Sequence, residues 1–431
     1  MCQNILFALI DLWEGKVILV GNYLQETFKT KIGGEYDVIV IGGGPAGSCA
    51  AIAAARTGAR TLVIERLLYL GGMWTGGLVN PLFDSYGKQG LLRELIRDLK
   101  KIGSWGGFNA SSFGYENMKR LLEEKLIGAD GDMLLQTQFA RLICENNKAV
   151  AVAVENKDGR TVYRGRVFID CTGDADAVVS AGLPTMIGRD SDHLCQAMTL
   201  MFTIGNVDFI QRNCDELREM IEEALQKGET SYKLPYSRPY IIQIPNSRTA
   251  VVQLTHMRRY NPTSAVDIGC AAAEGRRQAY EVTEFLRSNI ERFSDIELLE
   301  TAPLLGIRES RRIIGEYILT KEDLSEGKRF DDEITTATFG IDIHDPLEDT
   351  QQCYPVKRYG IPYRTLIPKG IEGLLVAGRC ISGTSEALAS YRVTGNCAAM
   401  GEAAGIAASI AACQNIGVRD VRPEDILKYI N

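Results

Sequence analysis

A cluster of three arginines in the second half of the chain has side chains that could act directly in a reaction. Arg308, Arg311 and Arg312 lie within five positions of one another. On a strand, Arg308 and Arg312 would share a face, whereas on a helix Arg308 would face the other two. Guanidinium groups grouped in this way could bind a substrate carboxylate or a cofactor. The alternative is a set of structural ion pairs, which we favour for Arg311 and Arg312 and leave open for Arg308.

One of the three histidines is the best candidate for a general acid or base. His344 ends a strand-like segment and is followed by Asp345, a context that suits proton transfer. A structural hydrogen bond is the alternative for a lone histidine. His193 and His256 have no comparable context. Arg392 stands just before a helix rich in small residues, and we predict that it contacts a substrate or a cofactor carbonyl.

Residues 36–66 form a complete βαβ pattern. Asp37–Ile41 is a short apolar run of the kind found in a strand buried on both faces. It leads into Gly42–Gly47, which matches G-x-G-x-x-G, and then into a helix rich in alanine. A second apolar strand, Thr61–Ile64, ends at Glu65, where a ribose-binding carboxylate is expected. The pattern therefore predicts a dinucleotide-binding unit.

Each residue of this unit has a physical role. Gly42 permits a tight turn, Gly44 lets the backbone approach a pyrophosphate, and Gly47 lets the helix lie close to the strand. The free N–H groups and the positive end of the helix dipole then face the phosphates. Glu65 favours a ribose with a free hydroxyl over a 2′-phosphate, although the adjacent Arg66 weakens that inference.

Composition excludes several classes of protein. A net charge of −7 over 431 residues gives no basic surface for nucleic acid. The 11 cysteines contain no C-x-x-C pair, so we expect free thiols in a reducing, cytoplasmic compartment and no iron–sulfur cluster or metal site. Residues 1–33 lack the features of a signal peptide, and no segment approaches the roughly 20 apolar residues of a membrane span. We therefore expect no membrane partner.

The chain is predicted to be an α/β protein with a discontinuous first domain. Apolar strands and the βαβ unit dominate its beginning, and a buried-strand pattern returns at Leu374–Gly378 before a helix of small residues, Gly395–Ala412. Between about residues 185 and 365 the sequence predicts a mixture of short strands, helices and polar loops. The predicted segments are an N-terminal extension over 1–33, a Rossmann-like nucleotide-binding domain over 34–184 and 366–431, and an inserted mixed α/β substrate domain over 185–365.

Six longer motifs carry a resemblance to a known family. Together they resemble the FAD-dependent oxidoreductase family of glutathione-reductase-like flavoproteins, which is distantly akin to the flavin subunit of heterodisulfide reductase. The resemblance covers nearly everything from Tyr36 onward and implies a discontinuous FAD domain with an inserted substrate domain. The motifs occupy Gly71–Pro81, Ile169–Ala177, Gly306–Asp323, Ile341–Pro346, Ile361–Gly370 and Leu374–Gly405.

The resemblance also implies which residues would bind FAD. Arg379 stands where many relatives carry an aspartate for the ribityl chain, a departure from the wider pattern. The implied contacts are Gly42, Gly44, Pro45, Ala46 and Gly47 at the pyrophosphate; Glu65 and Arg66 at the adenosine ribose; Gly72, Met73 and Thr75 at the phosphates and flavin; Phe139 at the adenine; Thr172, Gly173 and Asp174 in a second nucleotide-contacting turn; Gly378 and Arg379 at the ribityl chain; and Thr394 and Gly395 at the start of a flavin-facing helix.

These observations predict an FAD-dependent oxidoreductase that transfers a hydride between a small polar or carboxylated substrate and the flavin. His344 would act as acid or base, with Arg308 and Arg392 as anchors for an anion or for the flavin. The alternative is a flavoprotein electron-transfer subunit that works with an iron–sulfur partner, because the chain has no second G-x-G-x-x-G unit for NAD(P)H. A flavin-dependent RNA-modifying enzyme is a third possibility, and the acidic charge counts against it.

Overall fold

The computed structural model describes residues 16–20, 23–27, 29–107, 111–208, 214–227, 233–236 and 238–430. The strands are β1 (Lys16–Val20), β2 (Tyr23–Thr27), β3 (Lys31–Ile41), β4 (Thr61–Ile64), β5 (Trp105–Gly106), β6 (Ser112–Phe113), β7 (Asp132–Leu134), β8 (Gln138–Glu145), β9 (Lys148–Asn156), β10 (Gly159–Asp170), β11 (Thr185–Ile187), β12 (Phe202–Gly205), β13 (Tyr240–Gln243), β14 (Ala250–Gln253), β15 (Glu297–Thr301), β16 (Arg311–Ile313), β17 (Glu333–Ala337), β18 (Ile341–His344), β19 (Gln351–Tyr354), β20 (Tyr359–Pro362) and β21 (Leu374–Val376). The α-helices are α1 (Pro45–Arg56), α2 (Gly90–Lys101), α3 (Tyr115–Ile127), α4 (Asp176–Ser180), α5 (Cys214–Lys227), α6 (Ala265–Asn289), α7 (Lys321–Glu326), α8 (Ser385–Tyr391), α9 (Thr394–Gln414) and α10 (Pro423–Ile430). Residues 1–15 of the predicted N-terminal extension lie outside the described residues.

A largely parallel sheet forms the centre of the molecule. Strands β7, β4, β3 and β10 lie side by side in that order, all parallel, and β21 pairs in parallel with the last residues of β10. The first half of β10 pairs with β9 in an antiparallel meander that continues to β8. Val38–Ile41 are fully buried, as expected for a strand covered on both faces. The α/β class with a Rossmann-like core is confirmed.

Two helices rich in small residues pack against each other over this sheet. A Cβ atom built on Gly401 of α9 would fall on the carbonyl oxygen of Ala46 in α1, and one built on Gly405 would fall on that of Ala50. The two helices therefore run in the same direction with their backbones in contact. By length and composition α9 could cross a membrane, but 89% of its most apolar window is buried inside the protein, which is typical of a core helix.

A second sheet has its own hydrophobic core. Strands β13, β14, β12 and β15 form an antiparallel sheet in that order, and α5 and α6 pack on it through side chains such as Phe202, Leu217 and Phe285. This sheet lies within residues 185–365, which the sequence analysis assigns to an inserted mixed α/β domain. Buried side chains between Ile313 and Ile367 belong to the core of the parallel sheet. Strand patterns in this stretch do not reveal which core they join.

Candidate active site

A large cavity lies between the parallel sheet and the inserted domain. Its volume is about 550 Å³, within the range of small-molecule sites. Ile41 and Ile64, the last residues of β3 and β4, line one half, and residues of the antiparallel sheet such as Ile242 and Gln253 line the other. Ligands of open parallel sheets bind outside the carboxyl ends of the strands, which is where this cavity is placed.

The turn between β3 and α1 has the conformation that its glycines permit. Gly42 has a φ of +95°, in the region that favours glycine. A Cβ atom on Gly47 would collide with the carbonyl oxygen of Gly42, whereas one on Gly44 would meet nothing within 4 Å. The helix starts at Pro45, so its free N–H groups lie at the cavity. The turn thus forms a concave backbone cradle suited to a pyrophosphate.

Glu65 lies at the end of β4, beside this cradle. Its side chain is buried and lines the cavity. Oε2 accepts a hydrogen bond from the backbone N–H of Gly43 at 2.6 Å, and Oε1 accepts one from that of Leu67 at 2.8 Å. Two backbone donors therefore fix the orientation of the carboxylate. This position fits the predicted contact with a ribose hydroxyl.

The turn after β10 forms the opposite wall. Asp170 is fully buried, and its carboxylate accepts hydrogen bonds from the backbone and hydroxyl of Thr172, which hold the turn in place. Gly173 has a φ of +81°. The guanidinium of Arg379 donates to the carbonyl oxygen of Gly173 at 2.8 Å and pairs with the carboxylate of Asp174. Arg379, which departs from the wider family pattern, is therefore neutralised by Asp174, from a distant part of the sequence.

Most of the predicted cofactor residues line the cavity. Those that do are Gly42, Gly44, Pro45, Ala46, Glu65, Arg66, Gly72, Met73, Phe139, Thr172, Gly173, Asp174, Gly378, Arg379 and Thr394. Gly47, Thr75 and Gly395 lie behind its wall. The hydroxyl of Thr75 is buried and donates to the carbonyl oxygen of Leu70 at 2.8 Å. A Cβ atom on Gly395 would collide with the carbonyl oxygen of Phe83. These contacts give Thr75 and Gly395 packing roles in the described structure, and their contacts with the cofactor stay predictions.

Arg308 lines the half of the cavity next to the inserted domain. It lies before β16, so neither predicted arrangement of the three arginines occurs. Its Nη1 donates to the carbonyl oxygen of Ala197 at 2.7 Å. No carboxylate in the described part of the chain forms an ion pair with it. Burial and the neighbouring Arg392 lower the pKa of Arg308 to about 10, against the opposing effects of Tyr236 and Asp342. Arg308 is thus a half-buried cation at the cavity, without a partner acid in the described part of the chain.

The other two arginines of the cluster have structural roles. Arg312 lies on β16 and pairs with Glu309 at 2.7 Å, and both side chains are 1% exposed. Arg311 pairs with Asp176 and donates to the carbonyl oxygen of Asp174 at 2.8 Å. These contacts correspond to the ion pairs that we favour for both residues from the sequence.

Arg392 follows α8 and also faces the cavity. Its Nη2 donates to the backbone oxygen of Asp342 at 3.0 Å and to Oε1 of Gln196 at 3.4 Å. Within the described ranges, Nε of Arg392 and Nε2 of Gln196 are buried and have no hydrogen-bond partner. Buried donors are rarely left unpaired in folded proteins. Arg392 lines the cavity, and its unpaired donor favours a ligand with acceptor oxygen atoms.

His344 ends β18 and lines the cavity together with Asp342. Nε2 of His344 lies 3.2 Å from Oδ2 of Asp342, and Nδ1 lies 3.2 Å from Nε2 of His256. Burial and Arg308 lower the pKa of His344 to about 3, although the bond to Asp342 opposes this shift. Burial alone would raise the pKa of Asp342, but His344 and Arg392 outweigh it and hold that pKa well below its usual range. At neutral pH this is a neutral histidine beside an ionised aspartate.

The sequence misses several members of this cluster. His256 receives no role from its context, yet the structure places it against His344. Tyr236 lies with its ring centroid 4.3 Å from that of His256, and its hydroxyl donates to Oε1 of Gln351 at 2.7 Å. Asp342 could have been found, because positions two apart on a strand share a face. Nothing local in the sequence links residues 236 and 256 to residue 344.

Curated relatives match part of the chain. Digeranylgeranylglycerophospholipid reductase 1 of Methanopyrus kandleri is 28% identical over 174 residues, which cover 37% of this chain and 45% of the relative. Thiamine thiazole synthase of Aeropyrum pernix is 34% identical over 152 residues, 34% of this chain and 53% of the relative. The chain thus spans about half the length of the curated relatives it matches. A solved geranylgeranyl bacteriochlorophyll reductase-like protein of Thermoplasma acidophilum is 16% identical, with a TM-score of 0.48 over 92% of this chain and 83% of its own.

The cavity fits a flavin dinucleotide. The glycine turn gives a cradle without side chains, Glu65 presents a fixed carboxylate, and Arg392 carries a buried donor that lacks an acceptor. Over residues 37–430 the amino-acid sequence matches the family of FAD-dependent oxidoreductases. The chain therefore belongs to the FAD-dependent oxidoreductase family, and its cofactor is FAD.

Proposed function

We propose that this enzyme oxidises or reduces a small carboxylated substrate in the part of the cavity lined by Arg308 and Arg392. The observation that carries the proposal is the half-buried guanidinium of Arg308, which lines the cavity and has no partner acid in the described part of the chain. A cation that is partly removed from water and lacks a partner acid favours a ligand that neutralises it. A carboxylate is a good match, because guanidinium groups bind its two oxygens in a planar fork.

Bound FAD supplies the hydride donor or acceptor for such a reaction. Arg308 and Arg392 would hold and orient the carboxylate. His344 lines the cavity and would exchange the proton that accompanies the hydride, giving it up in a reduction and taking it up in an oxidation. Oδ2 of Asp342, 3.2 Å from Nε2, would hold the imidazole ring in place. Arg308 is a main cause of the low pKa of His344. A substrate carboxylate that neutralises Arg308 would therefore raise this pKa and make His344 more effective in proton transfer.

The proposal is tested with the FAD-loaded enzyme and a panel of small probes. Succinate, lactate and glutamate represent carboxylates, and glucose and ethanolamine represent neutral and cationic compounds. We expect carboxylates to perturb or anaerobically bleach the flavin absorbance, and Arg308→Gln to weaken this response at least about 100-fold. Arg277→Gln, on the exposed face of α6, is the matched control and should behave like the wild type.

Two results would overturn the proposal. One is a response to glucose or ethanolamine that equals the response to carboxylates and survives in Arg308→Gln. The other is flavin reduction only when an iron–sulfur protein is added, with no effect of any small probe. The second result would replace the proposal with the alternative function, an electron-transfer subunit.

A further inference from the structure

Three side chains form a hydrogen-bonded row at the edge of the cavity. His256, His344 and Asp342 are joined by two contacts of 3.2 Å, first between the imidazole rings and then between His344 and the carboxylate. His256 itself is buried and held from two sides. Gln278 of α6 accepts from the backbone N–H of His256 at 2.8 Å and donates to its carbonyl oxygen at 3.2 Å, and the Tyr236 ring packs against the imidazole. The row is therefore rigidly positioned.

The partners of the row determine where its protons lie. Asp342 is ionised, because Gln351 donates to Oδ1 and Arg392 lies 3.5 Å from Oδ2. An ionised carboxylate only accepts hydrogen bonds, so Nε2 of His344 must carry the proton that faces it. Nδ1 of neutral His344 is then an acceptor, and Nε2 of His256 must be the donor to it.

The remaining nitrogen of His256 agrees with this assignment. Its Nδ1 is buried and has no hydrogen-bond partner in the described ranges. In the deduced tautomer this nitrogen carries a lone pair and no proton, so it needs no acceptor. The reverse tautomer would bury an unpaired N–H on His256 and would also turn a bare nitrogen of His344 towards the Asp342 carboxylate. Both features are unfavourable.

We propose that His256 is a positioning residue for His344. Its Nε2–H bond to Nδ1 stabilises neutral His344 and leaves Nε2 as the only ring nitrogen of His344 that carries a proton. Removing the bond frees Nδ1 to take up a second proton. The role in proton delivery rests on the function proposed above, whereas the hydrogen bond and the tautomer do not. The charged groups that face the two imidazoles are Arg258, Arg308, Arg392 and Asp342.

The test uses the FAD-loaded protein labelled with ¹⁵N and ¹³C at histidine, followed by NMR as a function of pH. The chain has three histidines, so His193→Asn assigns the exposed one and serves as the control. His256→Gln keeps an N–H donor near the position of Nε2. His256→Asn is equally polar but too short to reach His344. The two variants therefore form a matched pair for the hydrogen bond.

We expect wild type and His256→Gln to show His344 protonated at Nε2 alone, with a pKa well below the usual value for histidine. His256→Asn should raise the pKa of His344 by about one unit, because the bond that favours the neutral form is gone. A wild-type spectrum with the proton on Nδ1 would overturn the proposal. So would an unchanged titration in His256→Asn, or an equal rise in folded His256→Gln. None of these measurements needs a substrate. The hydrogen bond can therefore be confirmed or overturned independently of the proposal that the substrate is a carboxylate.

Discussion

The two halves of the cavity are built in different ways. The cofactor half consists of backbone and small residues from short continuous motifs, such as the turn at Gly42–Gly47 and the end of β4 at Glu65. The half proposed for the substrate consists of long polar side chains from distant segments, among them Arg308, His344 and Arg392. The cofactor half is therefore specified locally, whereas the proposed substrate half needs segments far apart in the sequence to come together.

The largest effect should come from one methyl group in the cofactor half. Gly47→Ala would place a Cβ atom on the carbonyl oxygen of Gly42, between two backbones that cannot move apart without separating α1 from β3. We expect loss of FAD and loss of soluble protein. The measurements are the ratio of flavin to protein absorbance and the thermal midpoint of whatever protein is recovered.

Gly44→Ala is the control for this change. Its φ is −68°, which alanine adopts freely, and a Cβ atom there meets nothing within 4 Å. The variant should therefore fold with an unchanged thermal midpoint in the absence of FAD, and any defect should be confined to FAD affinity. A Gly47→Ala protein that binds FAD like the wild type would show that backbone packing does not define this half.

The same difference explains how far the sequence could be interpreted. The predicted strand, glycine turn and second strand all occur, and the predicted helix Gly395–Ala412 corresponds to α9, because burial on both faces leaves an unbroken apolar or small-residue pattern. His256 could not be found, since its role depends on contact with a residue 88 positions later. The hydrogen bond from the Thr75 hydroxyl to the carbonyl oxygen of Leu70 could not be predicted either, because a spacing fixes neighbours along the chain but not the direction of a side chain.

A second prediction concerns a buried ion pair in the segment that also contains Arg308. Arg312 pairs with Glu309 in a fully buried site and also donates to the carbonyl oxygens of Gly188 and Gly383, both at 2.9 Å. Arg312→Met would leave Glu309 buried without its cation. We expect the free energy of unfolding to fall by about 3–5 kcal/mol, the usual cost of breaking a buried ion pair from one side. Urea denaturation followed by intrinsic fluorescence measures this loss.

Arg311→Met offers a matched comparison one position away. The Arg311 and Asp176 side chains are 21% and 42% exposed, so solvent screens their pair and its loss should cost about 1 kcal/mol or less. Equal destabilisation by the two substitutions would mean that burial does not separate the structural roles of these arginines. The comparison matters because Arg308, from the same short segment, is the one left for a ligand.

The last prediction concerns a buried acid whose effect on stability depends on pH. Glu402 of α9 is 7% exposed and accepts a hydrogen bond from the backbone N–H of Leu91, at the start of α2, at 2.8 Å. Burial raises its pKa from 4.5 to about 7, although that bond and Arg56 oppose the shift. The folded state therefore binds this proton more tightly than the unfolded state. The resulting stability is complete below pH 4.5 and is lost as the pH rises through 7.

Glu402→Gln should remove this pH dependence, because glutamine stays neutral and can still accept from Leu91. Between pH 5 and 8.5 the wild type should lose up to about 3 kcal/mol relative to the variant, as expected from a shift of this size. Thermal midpoints of both proteins across this range measure the difference. Parallel curves would show that the carboxyl is ionised throughout. A difference in stability without a change in the His344 titration would mean that Glu402 acts on the scaffold and not on the cluster of His256, His344 and Asp342.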